Sequence, residues 1–267
     1  MEKFLSEKHS SLQKNLPFSY FSTNLYLDFA AYFFNRNGET LIVWQDLLFQ
    51  NDFPCLFFPK KKENWVRCSV AFATEEDLEA VKEERIEILT QKPMGSEFFY
   101  RTEDFLHPKG AFKNRVNQFK SHQAYTLTHA CDKARIREFY DFWKSQREHE
   151  GLSFEESEIF FPFCLEHLEK YGIEQVYVEV DQKLVGFAWG VRFPGSNNWV
   201  GLHLKVDYRY KGLSRFLHQE RAKMFEDCQE FSLGTGAQDK GIETYKEELG
   251  PAYKKAYFYV LTGDKKE

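Results

Sequence analysis

The chain has 267 residues, of which 42% are hydrophobic, 29% charged and 18% aromatic, and its formal net charge is −5. This composition is ordinary for a globular protein with a full core, here rich in aromatic rings. No apolar run approaches the roughly 20 residues that span a bilayer, and the N-terminal residues lack the basic-then-apolar pattern of a secretory signal. We therefore expect a soluble, cytoplasmic protein.

The cysteines and histidines do not predict a metal site. The five cysteines are far apart, odd in number and never in a CxxC pair, which is typical of reduced thiols. The eight histidines have neither HExxH nor HxH spacing. We therefore expect no metal and no tightly bound cofactor.

The first 105 residues predict an α/β half. Three short segments have the composition of strands: 41–44, 55–58 and 97–100. Thr74 and Asp77 have the spacing of a capping box, which predicts a charged helix from there to about Leu89. Residues 91–95, which include Pro93, predict a loop before the last of the three strands.

The second half predicts two helices, a three-stranded meander and then alternating helices and strands. One stripe of the first helix consists of Ile136, Phe139, Tyr140 and Trp143. The second helix runs from Ser153 toward Lys170, and Pro162 should bend it or restart it. The later elements are strands at 175–180, 184–193 and 199–205, a helix at 212–226, a strand at 230–233, a helix at 241–249 and a strand at 254–261. This order predicts an α/β protein with a mixed sheet of the α+β kind and helices on both faces.

A basic loop joins the last strand of the meander to the next helix. The strand ends near Asp207, and Gly212 opens the helix. Three basic residues flank the glycine: Arg209, Lys211 and Arg215. Backbone N–H groups at a helix N-terminus attract anions, and a glycine leaves room for a phosphate. Two interpretations stay open: a phosphate site, or an ordinary turn with solvated basic residues.

A second basic stretch, at 109–123, contains no acidic residue. Its cations are Lys109, Lys113, Arg115 and Lys120. The stretch indicates either a solvated face or a surface that contacts phosphate groups.

The basic loop resembles a motif of the GNAT acyltransferases. Arg209-x-x-Gly212-x-Ser214 is similar to their [Q/R]-x-x-G-x-[G/A] pyrophosphate loop. Downstream, Lys246 stands four residues before Gly250. A lysine at that place resembles the relatives that use aminoacyl-tRNA, namely the Fem-type ligases and the C-terminal catalytic domain of the phosphatidylglycerol lysyltransferases.

The resemblance to the lysyltransferase family extends over nearly the whole chain. Four segments carry it: FxxFxxNLY at 18–26, KGAFKNRVNQF at 109–119, KxD with KGL at 205–213, and DKGI with Lys246 and Pro251 at 239–251. The family implies two tandem GNAT-like modules, a degenerate one at 1–120 and a catalytic one at 121–267. It also implies a site at the splayed strands between the modules.

Two departures from the family pattern concern the transferred group. Leu204 stands where the family usually has glutamate, and residues 232–238 replace an acidic run. Carboxylates at that place would hold the ammonium of a lysyl group. We therefore expect a neutral acyl or aminoacyl donor, or a soluble acceptor.

The resemblance implies roles for individual residues. Donor binding falls to Lys205, Arg209, Lys211, Gly212 and Ser214. Backbone amides near 205–207 would face the donor carbonyl, and Lys246 would neutralise the leaving oxygen or a terminal phosphate. The substrate-binding candidates are Asn114, Arg115 and Asn117, and Asp239 is a further catalytic candidate.

His203 is a candidate base because it alternates with apolar Leu202 and Leu204 on a strand and would project into a cleft. Each candidate also has a structural interpretation. Lys246 fits a solvent-facing helix lysine, Asp239 fits a helix N-cap, and His203 fits a strand histidine with a purely structural role. Asn114 and Arg115 fit a structural hydrogen bond and a structural ion pair.

Two functions stay open at this stage. The first is an acyltransferase that uses acyl-CoA or aminoacyl-tRNA as a co-substrate and a small-molecule, lipid or peptide acceptor with an amine or hydroxyl group. The second is a catalytically silent GNAT-like module that binds RNA or a protein.

Overall fold

The computed structural model describes residues 16–36, 57–58, 62–122, 124–148, 155–236 and 239–266. The predicted strand at 41–44 and the first half of the one at 55–58 lie outside the described residues. Residues 57 and 58 are described and belong to no strand.

Helices and strands are interspersed along the described chain. The α-helices are α1 (Asn24–Arg36), α2 (Glu75–Glu83), α3 (Thr102–Leu106), α4 (Gly110–His122), α5 (Lys133–Glu148), α6 (Glu155–Glu166), α7 (Leu213–Lys223) and α8 (Lys240–Glu248). Short 3-10 helices occur at Tyr20–Ser22 and Lys62–Trp65. The strands are β1 (Ser69–Ala73), β2 (Ile86–Arg101), β3 (Thr126–Thr128), β4 (Glu174–Val180), β5 (Lys183–Phe193), β6 (Asn198–Val206), β7 (Glu230–Thr235) and β8 (Tyr253–Lys265).

The chain forms two compact units. The first unit comprises Met1–Phe99 and Gly234–Glu267, and the second comprises Tyr100–Leu233. The predicted boundary between the two tandem modules, at residues 120 and 121, stays a prediction.

Antiparallel strands form the sheet of the first unit. β8 pairs with β1 on one side and with β2 on the other, and both pairs are antiparallel. A small core between this sheet and α2 contains Cys68, Val70, Ala73, Leu78 and Val260. The capping box predicted for α2 is confirmed, because the Thr74 hydroxyl accepts from Asp77 N and the Asp77 carboxylate accepts from Thr74 N.

The prediction was wrong for the segment that follows α2. The helix ends at Glu83 rather than near Leu89, and β2 continues through the predicted loop at 91–95. The strand accommodates Pro93 because the pairing with β8 shifts register between Pro93 and Gly95, where Gly95 has a φ of 97°. A β-bulge of this kind tolerates a proline inside a strand.

The sheet of the second unit is mixed, which confirms the predicted fold class. Its strands lie in the order β7-β6-β5-β4-β3. The predicted meander is confirmed, since β4, β5 and β6 pair antiparallel. β7 then pairs with β6 in parallel, as expected for a strand reached through a helical crossover, here α7.

Helices cover both faces of this second sheet. One face packs against α4 and α7, and its core includes Val116, Phe119, Phe216 and Leu217. On the opposite face, Phe161 of α6 stacks on Tyr140 of α5 at 3.8 Å and on Trp189 of β5 at 5.4 Å between ring centroids. The predicted stripe of α5 is buried in full. Among the described helices, none is both long enough and apolar enough to cross a membrane.

Candidate functional site

Gly212, at the N-terminus of α7, is in contact with another helix. Its φ is 85°, in the left-handed region that favours glycine. A Cβ atom at this position would collide with the carbonyl oxygen of Arg115 and would lie 3.3 Å from the backbone nitrogen of Phe119. The backbone of α4 therefore packs directly against the loop, and this contact, together with the positive φ, explains the glycine without any ligand.

Arg209 is held at the surface by a buried carboxylate. The Arg209 side chain donates to both oxygens of Asp207, and its backbone N–H donates to Asp207 Oδ1 at 3.0 Å. Burial alone would raise the pKa of Asp207, but the hydrogen bonds and charge of Arg209 hold that pKa below its ordinary value. The Arg209 side chain is still 72% exposed. Its guanidinium is thus positioned by the protein and accessible to an anion.

The exposed side of α4 carries the second basic stretch. Val116 and Phe119 are buried, and four basic side chains are exposed: Lys113, Arg115 and Lys120 on the helix, and Lys109 directly before it. Because Arg115 contacts Gly212 through its backbone, the α4 surface and the loop meet. We call these four exposed cations together with Arg209 and exposed Lys211 the basic surface of the second unit.

The remaining predicted binding residues are near this surface. Asn114 and Asn117 are exposed on α4, and Ser214 lies in the first turn of α7. Arg115 donates to Gln118 Oε1 at 3.0 Å, so its guanidinium lies along its own helix. The Asp207 amide was among those expected to face a donor carbonyl, but it donates to Val185 O at 2.8 Å. That amide belongs to the sheet and is not available to an oxyanion.

His203 lies on β6 in an aromatic environment. It is 8% exposed, and its ring centroid lies 5.3 Å from Phe160, 5.4 Å from Phe161 and 5.7 Å from Trp189. Burial, and then the charge of Lys205, lower the pKa of His203 well below its ordinary value. The imidazole is therefore neutral at neutral pH. Within the described part of the chain, no protein group hydrogen-bonds to Nε2.

Lys205 is two residues further along the same face of β6. Its ammonium lies 3.6 Å from the ring centroid of Trp143 and 5.9 Å from that of Tyr140. A cation over an aromatic face is attracted by the ring quadrupole, most strongly over tryptophan. The sequence pattern assigned Trp143 and Tyr140 to the core, and the structure shows that they also position a cation.

Lys246 and Asp239 lie in the first unit, on and before α8. Lys246 is only 9% exposed, so it is not a solvent-facing lysine. Its ammonium donates to Gly234 O at 3.2 Å and Thr235 O at 2.5 Å. Asp239 Oδ1 accepts from the backbone nitrogens of Gly241 at 2.7 Å and Ile242 at 3.1 Å, which confirms the N-cap.

The structure thus groups the predicted residues in two sets. The first unit holds Lys246 and Asp239, and the second unit holds all the others. Within the second unit, Gly212 meets Arg115, and His203 lies beside Lys205. Sequence reasoning missed the exposed rings next to this set, Phe142 and Tyr208. For Tyr208 a sequence signal was available, because this residue stands inside the basic loop.

Fold and loop together define the class of protein. The last strand of the meander leads through the basic loop into a helix that begins after Gly212, and a parallel strand follows. This is the arrangement of a GNAT-like transferase fold. Residues 57–262 match the family described as phosphatidylglycerol lysyltransferase, C-terminal. The chain belongs to this family. Among curated proteins, none matches the sequence.

Solved structures share the fold at low sequence identity. A conserved protein of unknown function from Bacteroides thetaiotaomicron VPI-5482 is 20% identical with a TM-score of 0.63, over 73% of this chain and 70% of that one. The C-terminal domain (DUF2156) of a candidate lysylphosphatidylglycerol synthetase from Agrobacterium fabrum is 11% identical with a TM-score of 0.58, over 97% and 92%. FemX is 10% identical with a TM-score of 0.54, over 76% and 74%. The GNAT-like and Fem-type fold is therefore confirmed.

Proposed function

We propose that this chain is an acyltransferase that moves an acyl or aminoacyl group from a phosphate-bearing carrier, either aminoacyl-tRNA or acyl-CoA, to an amine or hydroxyl acceptor. The observation that carries the proposal is the basic surface, in which the loop and α4 are joined through the contact between Gly212 and Arg115. Membership of the lysyltransferase family supports the reaction class.

Phosphate is the chemical group that both carriers share and that this surface fits. A guanidinium presents paired N–H donors to phosphate oxygens, and Asp207 keeps the guanidinium of Arg209 in place. The N-terminus of α7 adds the positive end of a helix dipole beside the loop. Binding to such a surface weakens as salt increases, because phosphate contacts release counterions.

The chemical step needs a base and a group that stabilises the leaving atom. As the acceptor attacks the acyl carbonyl, it loses a proton, and the carrier leaves with the electron pair of the broken ester or thioester bond. His203 fits the base because its imidazole is neutral. From the family motif, Lys246 stays the candidate for the group that stabilises the leaving atom. These roles are part of the proposal.

Titration of the purified protein with acetyl-CoA and with mixed aminoacyl-tRNA tests carrier binding. We expect one of them to bind at low salt, and competition by free CoA identifies which. Lys113→Ala/Lys211→Ala should weaken that binding about tenfold, because two phosphate contacts are lost while the Asp207–Arg209 pair stays intact.

The matched control is Lys170→Ala/Lys223→Ala. It removes the same charge from the same unit, in the turn after α6 and at the C-terminal end of α7, and should bind like the wild type. Equal weakening by both double variants would mean that only net charge matters. If neither carrier binds, the transferase is rejected.

A second function is favoured by a specific observation. The Lys246 ammonium is already engaged by two backbone carbonyls, as in a lysine with a structural role. A catalytically silent module that binds RNA would keep the basic surface and lose turnover. Lys246→Ala in a folded protein separates the two: the enzyme loses transfer and keeps carrier binding, whereas the silent module shows binding without transfer in both forms.

A further inference from the structure

Two large hydrophobic rings are exposed in the described part of the second unit. Tyr208, directly after β6, is 46% exposed, and Phe142 of α5 is 37% exposed. Tyr208 stands directly before Arg209 in the basic loop, and Phe142 lies beside that loop because the Arg209 guanidinium is 5.5 Å from its ring centroid.

The protein holds these two rings in fixed positions. The Tyr208 hydroxyl accepts a hydrogen bond from Trp143 Nε1 at 3.3 Å. The Arg209 guanidinium lies 5.5 Å from the ring centroid of Phe142, and it also donates to the carboxylate of Asp207. We call Phe142, Tyr208 and Arg209 the Tyr208 platform. Its aromatic and cationic groups are ordered before any ligand binds.

The charge around the platform is positive. Arg209 is 72% exposed, Lys211 is exposed two residues later, and Lys205 lies over the Trp143 ring to which Tyr208 is hydrogen-bonded. Exposed rings among cations are the combination with which proteins bind single-stranded nucleotides, because the bases stack on the rings and the phosphates contact the cations. A purely apolar partner would desolvate Lys211 and the exposed side of the Arg209 guanidinium without offering them an acceptor.

We propose, on the basis of the transferase function above, that the Tyr208 platform binds the terminal adenosine nucleotide of the carrier, with the base stacked on Tyr208 and a phosphate on Arg209. Both candidate carriers carry an adenosine nucleotide, at the 3′ end of tRNA and in the nucleotide half of CoA. Tyr208 is the stacking ring because it is the more exposed of the two rings.

The test uses two short probes with the whole protein. Adenosine 3′,5′-bisphosphate represents CoA, and a 5′-phosphorylated CCA trinucleotide represents tRNA. By isothermal titration calorimetry we expect one probe to bind, and Tyr208→Ala to weaken it about tenfold, the usual effect of removing one base–aromatic stack. Tyr208→Phe should retain affinity within about threefold because the ring remains.

Two further variants complete the test. Tyr253→Ala removes a tyrosine of similar exposure, 43%, from the first unit, and should not change binding. Phe142→Ala should weaken the probe through the loss of the ring beneath Arg209, and it provides an independent variant if Tyr208→Ala unfolds. Thermal melting of each variant verifies the fold.

The outcomes separate this proposal from the transferase function. A probe that binds wild type and Tyr208→Ala equally would overturn the platform and leave the transferase intact. Binding of acetyl-CoA or aminoacyl-tRNA without binding of either probe would also overturn the platform alone. Failure of both intact carriers to bind would overturn the transferase and the platform together.

Discussion

Gly212 and Gly172 have similar backbone conformations in different surroundings. Their φ angles are 85° and 59°, so an alanine is strained at either position. At Gly212 an added Cβ would collide with the Arg115 carbonyl, whereas at Gly172 it would meet no atom within 4 Å. The two positions therefore separate backbone strain from the contact between the loop and α4.

Alanine substitution at the two glycines should have unequal effects. Gly172→Ala should lower the free energy of unfolding by about 1 kcal/mol through strain alone. Gly212→Ala should lower it by about 3 kcal/mol, because α4 must also move. Urea unfolding with unchanged m-values measures both. Equal losses would contradict the packing of α4 on the loop.

His203 should make stability depend on pH. Burial lowers its pKa in the folded state, while the unfolded chain binds the proton below about pH 6.5. The unfolded state then holds more protons, so stability decreases as pH falls through this range. Between pH 7.5 and 5.5 the wild type should lose about 1 kcal/mol more than His203→Phe.

Denaturant unfolding at the two pH values measures this difference. Phenylalanine is the suitable replacement because three aromatic rings surround the position. The other histidines are common to both proteins, so their titration cancels in the comparison. Parallel loss of stability in both proteins would show that His203 is protonated in the folded state.

At the scale of elements, the signals that the sequence carried reliably are local. The capping box of α2 and the cap of α8 each join residues two or three positions apart, so a short pattern is sufficient. The extent of β2 was not predictable in this way, because Pro93 and Gly95 usually mark a loop. Only the register shift against β8, about 160 residues away in the chain, keeps them in a strand.

Asp239 tests how much the cap contributes to α8. Asp239→Ala removes the acceptor of two backbone N–H groups and should lower stability by about 1 kcal/mol. Asp239→Asn keeps an oxygen at the same place and should differ from wild type by only a few tenths of a kcal/mol. The measurement is chemical denaturation of all three proteins. A loss with asparagine as large as with alanine would show that the negative charge, rather than the cap, is what matters.

At the scale of the whole molecule, the sequence motif located the candidate residues but not their contacts. The loop and Lys246 were found because family patterns mark them. The contact of Gly212 with α4 joins positions about a hundred residues apart, and no local pattern encodes it. The same holds for Lys246, whose ammonium donates to backbone carbonyls outside its own helix.

The central claim is that the basic surface binds the phosphates of an acyl or aminoacyl carrier. A crystal structure of the protein with a non-hydrolysable carrier analogue tests it most directly. The account predicts a phosphate oxygen within about 3 Å of Arg209 or Lys211. A bound analogue whose phosphates contact neither residue, with the loop and α4 open to solvent, would contradict it.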